Sequence, residues 1–212
     1  MALASDGVSE LDHVVLATPD LAGTVETVGR LLGVKPVAGG AHTGRGTRNY
    51  LLGLGNGAYL EIIGPDPEQP EPELPRPFGI DELSEARLAG WLVRVENIDA
   101  AVARARSAGY DPGDASDLSR TTPDGRILRW RLTFPAPSTG TQVVPALIDW
   151  GDTDHPANEL PEVPLRELEI VHPHPEPVTA QLRALGVDFA VRAGNRPALI
   201  ARIGADEPVV LL

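Results

Sequence analysis

The chain alternates apolar runs with amphipathic stretches, and the first cycle of this pattern lies near the N-terminus. Residues 11–17 form an apolar run that is typical of a buried strand. Asp20 follows at a position suited to a helix N-cap. The next apolar residues, at helical spacing, are Leu21, Val25, Val28 and Leu32. This single apolar face predicts a helix that Gly33 ends, because glycine readily takes the left-handed conformation that closes helices.

The same order of strand, helix and closing glycine returns twice. Residues 90–95 and 168–171 are the later apolar runs, and each precedes a stretch with helical apolar spacing. Gly109 and Gly186 end the two later helices, so the three closing glycines are almost equally spaced along the chain. Repetition at a nearly fixed period indicates repeated structural units.

Strand-like runs follow each predicted helix. They are 34–38, 47–54 and 58–63 in the first unit, 126–134 and 143–150 in the second, and 198–203 and 209–212 in the third. Gly55-Asn56-Gly57 and Pro123-Asp124-Gly125 are predicted turns between or before these strands. Because hairpins join the later strands of each unit, the pattern predicts an α+β fold of repeated βαβββ modules with mixed sheets.

Two proline-rich stretches divide the chain. Prolines recur among acidic residues from 65 to 77, which is typical of a semi-rigid, exposed linker. A short helix is predicted over 80–88. The expected boundaries are a first module at 9–66, the linker and short helix at 67–88, a second module at 89–152, a second linker at 153–164 and a third, shortened βαβ-like unit at 165–212.

Composition and charge exclude several kinds of protein. The 212 residues are 42% hydrophobic and 23% charged, as in a folded domain, and the absence of cysteine excludes disulfides, thiolate metal sites and cysteine nucleophiles. The net charge of −12 argues against nucleic acid or an anionic membrane as a partner. The sequence has no signal-peptide pattern, membrane-spanning run, nucleophile elbow or dinucleotide fingerprint. We therefore expect a cytoplasmic protein with a small-molecule ligand and no nucleotide cofactor.

Six short strings occur in an order and spacing that span nearly the whole chain. They are Leu11-Asp12-His13, Pro19-Asp20-Leu21, 46–51, 59–63, Ile148-Asp149-Trp150 and His155-Pro156. Together they resemble the vicinal-oxygen-chelate superfamily, and its glyoxalase-like group in particular. The resemblance implies that two βαβββ modules pack side by side and that their curved sheets form a cup around a ligand. Since members often dimerise, it also implies a homodimer.

The resemblance further implies a divalent metal held by a side chain on the first strand and a glutamate on the last strand of a module. His13 and Glu61 match these places, and their donor atoms suit Zn, Ni, Fe or Mn. Strand alternation predicts one face with Leu11, His13, Val15 and Ala17, and another with Tyr59, Glu61 and Ile63. The second module offers no further ligand at the matching places unless Asp149 points inward, so the set has two ligands or three.

Other candidates lie in loops and on later strands. His42, Arg48 and Asn49 belong to a glycine-rich, basic segment that can present donors to a carboxylate or phosphate, or can form a turn with structural salt bridges. His155 can complete the site or shuttle a proton, or can be a capped loop residue. Aromatic residues that can wall a ligand pocket, or simply pack in the core, are Tyr59, Trp130 and Trp150.

These residues support two main functions. The first is a glyoxalase-like enzyme, of lyase, isomerase or dioxygenase type, that acts on a small oxygenated, anionic substrate with metal assistance. Glu61 would be ligand and general base, His13 the second ligand, and Arg48 would orient the anionic group. The second is a metal-free protein that sequesters a small molecule, as bleomycin-resistance relatives do, and the incomplete ligand set favours it. A domain whose cup has closed over is a third interpretation.

Overall fold

The computed structural model describes residues 10–134, 141–204 and 208–212, and these follow the predicted α+β order. The first module comprises β1 (Glu10–Ala17), α1 (Leu21–Leu32), β2 (Val37–His42), β3 (Thr47–Gly55) and β4 (Ala58–Pro65). Asp20 caps α1 by accepting from the backbone N–H of Gly23 at 3.0 Å, and Gly33 ends it at φ 69°. Both predicted ends of this helix are therefore confirmed.

The second module repeats the same order of elements. It comprises β5 (Arg87–Arg94), α2 (Ile98–Ser107), β6 (Ala115–Thr121), β7 (Ile127–Thr133) and β8 (Ala146–Asp149). The sequence pattern does not predict β6, because its residues are mostly polar and show no apolar alternation. The helix predicted over 80–88 is wrong. A 3₁₀ turn at Pro77–Glu82 takes its place, and the residues after it pair with β1 as the start of β5.

The two modules close into one eight-stranded barrel with the strand order β1-β4-β3-β2-β6-β7-β8-β5. Two seams join the modules. Along one seam β1 pairs antiparallel with the whole of β5, whereas β2 and β6 meet only at Ala41 with Thr121 and at His42 with Arg120. The predicted cup is therefore confirmed as a barrel whose second seam is short.

Alternation along the strands divides the apolar residues between the outside and the inside of the barrel. The outer core lies under the helices and includes Val14, Leu16, Leu60 and Ile62. The inner cluster includes Val15, Ala17, Tyr59 and Ile63, as predicted. Leu11 is the exception, since it packs against the outer core. The register of β1 against β5 shifts between Leu11 and His13, and this bulge moves Leu11 to the other face.

The third unit has the full βαβββ order rather than a shortened one. It comprises β9 (Leu165–His172), α3 (Pro175–Ala184), β10 (Val191–Ala193), β11 (Ala198–Ile203) and β12 (Val209–Leu211). Its four strands form a separate sheet, ordered β10-β9-β11-β12. Ile170, Leu182 and Leu199 extend the outer core, and Phe189 meets Trp91 of β5 edge-on with ring centroids 4.9 Å apart. The third unit therefore completes the core outside the barrel.

Both linkers pack against the first module. Asp66 is buried, and Arg76 donates to the carbonyl of Gly46 at 2.9 Å, so the first linker is less exposed than its composition predicts. The second linker joins β3, because Gly53 exchanges backbone hydrogen bonds with Pro161 and Val163. Within the described ranges, every helix is too short or too polar to cross a membrane.

Candidate functional site

The barrel encloses a cavity of about 980 Å³. Five polar residues that line it lie on neighbouring strands, and we call them the polar belt: His13 on β1, Glu61 on β4, Asn49 on β3, His42 on β2 and Arg120 on β6. The wall formed by β7, β8, β5 and the turn after β8 carries the aromatic lining residues, together with polar ones such as Arg129, Arg131 and Asp152. Its cavity-lining apolar residues are Leu92, Trp130, Leu132, Ile148 and Trp150. The interior thus has a polar side and an aromatic side.

Glu61 is the carboxylate at the centre of the polar belt. It is 7% exposed, and that exposure opens on the cavity it lines. Asn49 Nδ2 donates to Oε1 of Glu61 at 2.6 Å. Oε2 lies 3.6 Å from Nε2 of His13 and accepts no hydrogen bond from the described residues. One carboxylate oxygen is therefore fixed, and the other is free for a ligand.

His13 reaches this position through the bulge in β1. Neighbouring strand residues normally point to opposite faces, but the register shift at Asp12 brings its carboxylate beside its own neighbour. Nδ1 of His13 and Oδ1 of Asp12 are 2.6 Å apart. Since Asp12 is ionised, Nδ1 carries the hydrogen and Nε2 is left facing Glu61. The His13 ring also stacks on Tyr59, with centroids 4.5 Å apart.

Asp12 is a fully buried carboxylate that ties the two modules together. Its Oδ2 accepts from Nε1 of Trp150 at 3.0 Å and lies 2.9 Å from Nε2 of His155. Burial raises the pKa of Asp12, but the hydrogen bonds that His13 and His155 donate to its carboxylate outweigh burial, so the pKa lies well below its usual range. Asp12 was not among the site residues predicted from sequence, because its only signal was a carboxylate inside an apolar strand.

His155 lies behind the cavity and is not one of the residues that line it. Its Nε2 is bonded to Asp12, and its Nδ1 accepts from the backbone N–H of Ala157 at 3.3 Å. Both ring nitrogens are therefore occupied, with the hydrogen on Nε2. This arrangement suits a residue that positions Asp12, whereas the proton shuttle considered for His155 would need a nitrogen open to the ligand.

His42 is held in the neutral form. Burial lowers its pKa, although the charge of Glu61 acts in the opposite direction. Its Nδ1 lies 3.0 Å from Oγ1 of Thr47, and its Nε2 lies 3.3 Å from Nδ2 of Asn49. The Nδ2 group of Asn49 therefore bridges His42 and Glu61. Both neighbours are acceptors, so the amide orientation that points Nδ2 rather than Oδ1 toward Glu61 is the favourable one.

The expected metal ligands come together only in part. His13 and Glu61 face each other across 3.6 Å, as the resemblance implies. Asp149 does not join them, because its two oxygens accept backbone N–H groups of Ile98 and Gly151 at 3.1 and 2.9 Å. Within the ranges that the structure describes, no group of three or more His, Cys, Asp or Glu side chains could hold a metal ion. This donor set does not fit a catalytic centre that needs three protein ligands.

The aromatic candidates line the cavity, whereas Arg48 does not. Trp130 and Trp150 contact each other with centroids 5.3 Å apart. Burial raises the pKa of Tyr59, so its phenol stays protonated. Arg48 instead lies 3.6 Å from Asp66 and 3.3 Å from Glu68, in a structural salt-bridge network. The cavity arginines are Arg45, Arg120, Arg129 and Arg131. Arg45 lies in the glycine-rich basic segment that was predicted to bind an anion, whereas Arg129 and Arg131 on β7 and Arg120 on β6 were not candidates from sequence.

Comparisons with known proteins support the fold. The model of a family described as a glyoxalase-like domain matches residues 11–186. No curated protein sequence matches. A hypothetical protein from Staphylococcus aureus superposes with a TM-score of 0.71 at 14% identity, over 92% of this chain and 92% of that chain. Methylmalonyl-CoA epimerase from Mycobacterium tuberculosis gives a TM-score of 0.47 at 23% identity, over 70% of this chain and 92% of that one. The Staphylococcus aureus structure shows that the fold is shared along nearly the whole chain.

Proposed function

Because this chain belongs to the glyoxalase-like domain family, whose model covers residues 11–186, we propose that it is an enzyme that moves a proton at a carbon next to a carbonyl group of a small anionic substrate. The observation that carries the proposal is Glu61, a buried carboxylate with one oxygen fixed by Asn49 and the other open to the cavity. Charged side chains are rarely buried without a role or a partner.

The proposed step is general-base catalysis by Glu61. Oε2 accepts a proton from a C–H bond next to a carbonyl, and the electron pair of that bond moves to the carbonyl oxygen as an enolate. Return of the proton to the opposite face of the same carbon, or to the enolate oxygen and then the neighbouring carbon, gives an isomer. Departure of a substituent from the next carbon with its electron pair, which forms a C=C bond, is instead a lyase reaction. His13 Nε2, 3.6 Å from Oε2, can take the proton from Glu61 and return it.

The surrounding residues prepare Glu61 for this step. Asn49 fixes the rotation of the carboxylate through its 2.6 Å bond, and Asp12 holds His13 with Nε2 free. Glu61 and His13 are 7% and 4% exposed, and electrostatic interactions between buried groups are stronger than those in water. His13 and Glu61 supply only two protein donors for a metal, and the proposed step uses the side chains alone.

A second function is supported by that same shortage of donors. A binding protein would use the cavity to hold an intact small molecule, with the aromatic wall and the polar belt as its contacts. This alternative predicts tight binding without any change in the ligand, so it differs from the enzyme in one measurable outcome, the exchange of substrate hydrogens.

The experiment is hydrogen–deuterium exchange of candidate substrates in D₂O, followed by proton NMR. A panel of 2-oxo- and 2-hydroxycarboxylates is incubated with the protein, with and without a metal chelator. We expect exchange at the carbon next to a carbonyl group, unaffected by the chelator, and a loss of about 100-fold or more in Glu61→Gln.

The matched control is Glu68→Gln, which changes a glutamate that is exposed and paired with Arg48 outside the cavity. It should exchange at the rate of the unmodified protein. Equal exchange in Glu61→Gln would refute the role of Glu61, and tight binding without exchange by the unmodified protein would favour the binding function. Loss of exchange on chelation would show that the reaction depends on a metal.

A further inference from the structure

The arginines of the cavity differ in how they are paired. Arg131 is held by Asp99 and Asp117, whereas Arg45, Arg120 and Arg129 form no salt bridge with the described residues. The protein has 30 acidic and 18 basic residues, so carboxylates are in excess. Positive side chains that line a cavity without a carboxylate partner in such a protein indicate a place for an anion supplied from outside.

Arg120 is the most informative of the three because it is buried. It is 4% exposed and lies on the polar belt next to His42 in the β2–β6 seam. Its Nη1 donates to the carbonyl of Gly39, and burial lowers its pKa. Within the described ranges, the fully enclosed side-chain atoms that lack a hydrogen bond are Asn49 Oδ1 and Arg87 Nε. The remaining N–H groups of Arg120 are not among them, so these groups are exposed at the cavity surface. A buried cation costs free energy unless an anion is supplied.

The backbone around Arg120 leaves room for its guanidinium. A Cβ atom on Gly39 would lie 2.2 Å from Oδ1 of Asn49 and 3.1 Å from Nη1 of Arg120. A larger residue there would displace the amide of Asn49 and press against the guanidinium of Arg120. Arg45 reaches the same cavity from the turn between β2 and β3, and its guanidinium lies 5.6 Å from the ring centroid of Phe134.

Acidic residues also line the outer part of the cavity, but they are engaged elsewhere or exposed. Asp117 is paired with Arg131, and Asp149 caps α2. Asp152 is exposed to solvent. Glu61 is the buried carboxylate that faces the ligand, and a single negative charge there disfavours a dianionic ligand more than a monoanionic one.

We propose that Arg120, assisted by Arg45, binds the carboxylate of a substrate whose aromatic body lies against Trp130 and Trp150. The proposal rests on the proposed function, because it places the carboxylate on the same polar belt as Glu61. A planar guanidinium matches a carboxylate through paired hydrogen bonds, and indole rings favour an aromatic partner. The cavity of about 980 Å³ is large enough for a substrate of this kind.

The test is binding of phenylacetate, measured by calorimetry against three comparison compounds. Phenylacetamide keeps the ring and removes the charge, acetate keeps the charge and removes the ring, and phenyl phosphate replaces the carboxylate. We expect phenylacetate to bind about tenfold or more tightly than phenylacetamide and acetate. Tighter binding of phenyl phosphate would overturn the assignment to a carboxylate, and equal binding of phenylacetamide would overturn the anion site.

Substitutions test whether Arg120 and Arg45 are the residues that bind the carboxylate. Arg120→Gln and Arg45→Ala should weaken phenylacetate binding several-fold while leaving phenylacetamide binding unchanged. Arg48→Ala is the matched control, because Arg48 is a neighbouring arginine outside the cavity, and it should bind both compounds normally. If Arg120→Gln does not fold, Arg45→Ala decides, since Arg45 lies in a turn. Unchanged phenylacetate binding in Arg45→Ala would refute the proposal.

The same compounds separate this proposal from the proposed reaction. Glu61→Gln should still prefer phenylacetate to phenylacetamide, although it loses hydrogen exchange. A preference for phenylacetate without Glu61-dependent exchange would leave the anion site standing and remove the reaction. Glu61-dependent exchange without a preference for phenylacetate would support the reaction and refute the anion site.

Discussion

At the scale of single residues, Asp12 is the group on which most of the site depends. Its carboxylate contacts His13, His155 and the indole of Trp150, so it joins the first strand, the end of the second module and the second linker. A fully buried carboxylate is tolerated only when its oxygens are satisfied. Asp12 therefore both orients His13 and stabilises the closed barrel.

The Asp12→Asn variant should be less stable by about 2–3 kcal/mol near neutral pH, because hydrogen bonds to a buried charge are lost. The pKa of Asp12 is lowered in the folded protein, so its contribution is fully present above the unfolded-state pKa of about 4 and declines as pH falls below that value. Urea unfolding from pH 3 to 8 measures the difference between the variant and the unmodified protein. A difference that grew as the pH fell below 4 would contradict this explanation.

At the scale of elements, the short seam between β2 and β6 positions the polar belt. It has two paired positions and brings Arg120 beside His42. Gly40, just before the seam, has φ 142°, and a Cβ atom there would lie 2.0 Å from the carbonyl oxygen of Thr121. This glycine allows β2 to approach β6 closely enough to close the barrel.

The Gly40→Ala variant should therefore separate the seam and destabilise the protein by more than the 1–3 kcal/mol that is roughly the cost of backbone strain alone. Gly125→Ala is the matched control, since Gly125 also has a positive φ, 85°, but a Cβ atom there would meet nothing within 4 Å. Urea unfolding and phenylacetate binding provide the readouts. Equal losses in the two variants would show that the close approach to Thr121 is unimportant.

At the scale of the whole molecule, the third unit shares one core with the barrel. Leu199 of β11 is 1% exposed in the outer core that also contains Trp91 of β5. The three tryptophans of the chain all precede residue 165, where the third unit begins. Trp91 contacts Phe189 of the third unit, so fluorescence is measured in a Trp91→Phe background, where Trp130 and Trp150 report on the barrel and the turn beside it, while circular dichroism reports on the whole chain. A homodimer stays a prediction at this scale.

The Leu199→Ala variant should lower stability by about 2–5 kcal/mol because it leaves a cavity in the shared core. Fluorescence and far-ultraviolet circular dichroism should shift together, as expected of one cooperative unit. Val210→Ala, in the exposed part of β12, serves as the control and should have little effect. A fluorescence transition that stayed in place while the circular dichroism moved would show that the third unit folds independently.

The sequence by itself determined the repeated units, the helix ends and the placement of His13 and Glu61. Helix caps, closing glycines and apolar alternation depend on neighbours in the chain, so Asp20, Gly33 and the face shared by Tyr59, Glu61 and Ile63 could be predicted correctly. The same local information predicted a helix at 80–88, because it could not show that Arg87 and Leu88, at the end of that segment, pair with β1.

Only the tertiary structure decided which side chains meet. The bulge that joins Asp12 to His13, the capping role of Asp149 and the salt bridges of Arg48 depend on partners distant in sequence or on a register shift without a composition signal. β6 is polar and lacks alternation, so both the strand and the buried Arg120 on it escaped prediction. Barrel closure makes that arginine part of the polar belt, since it brings β6 beside β2 across a large separation in sequence.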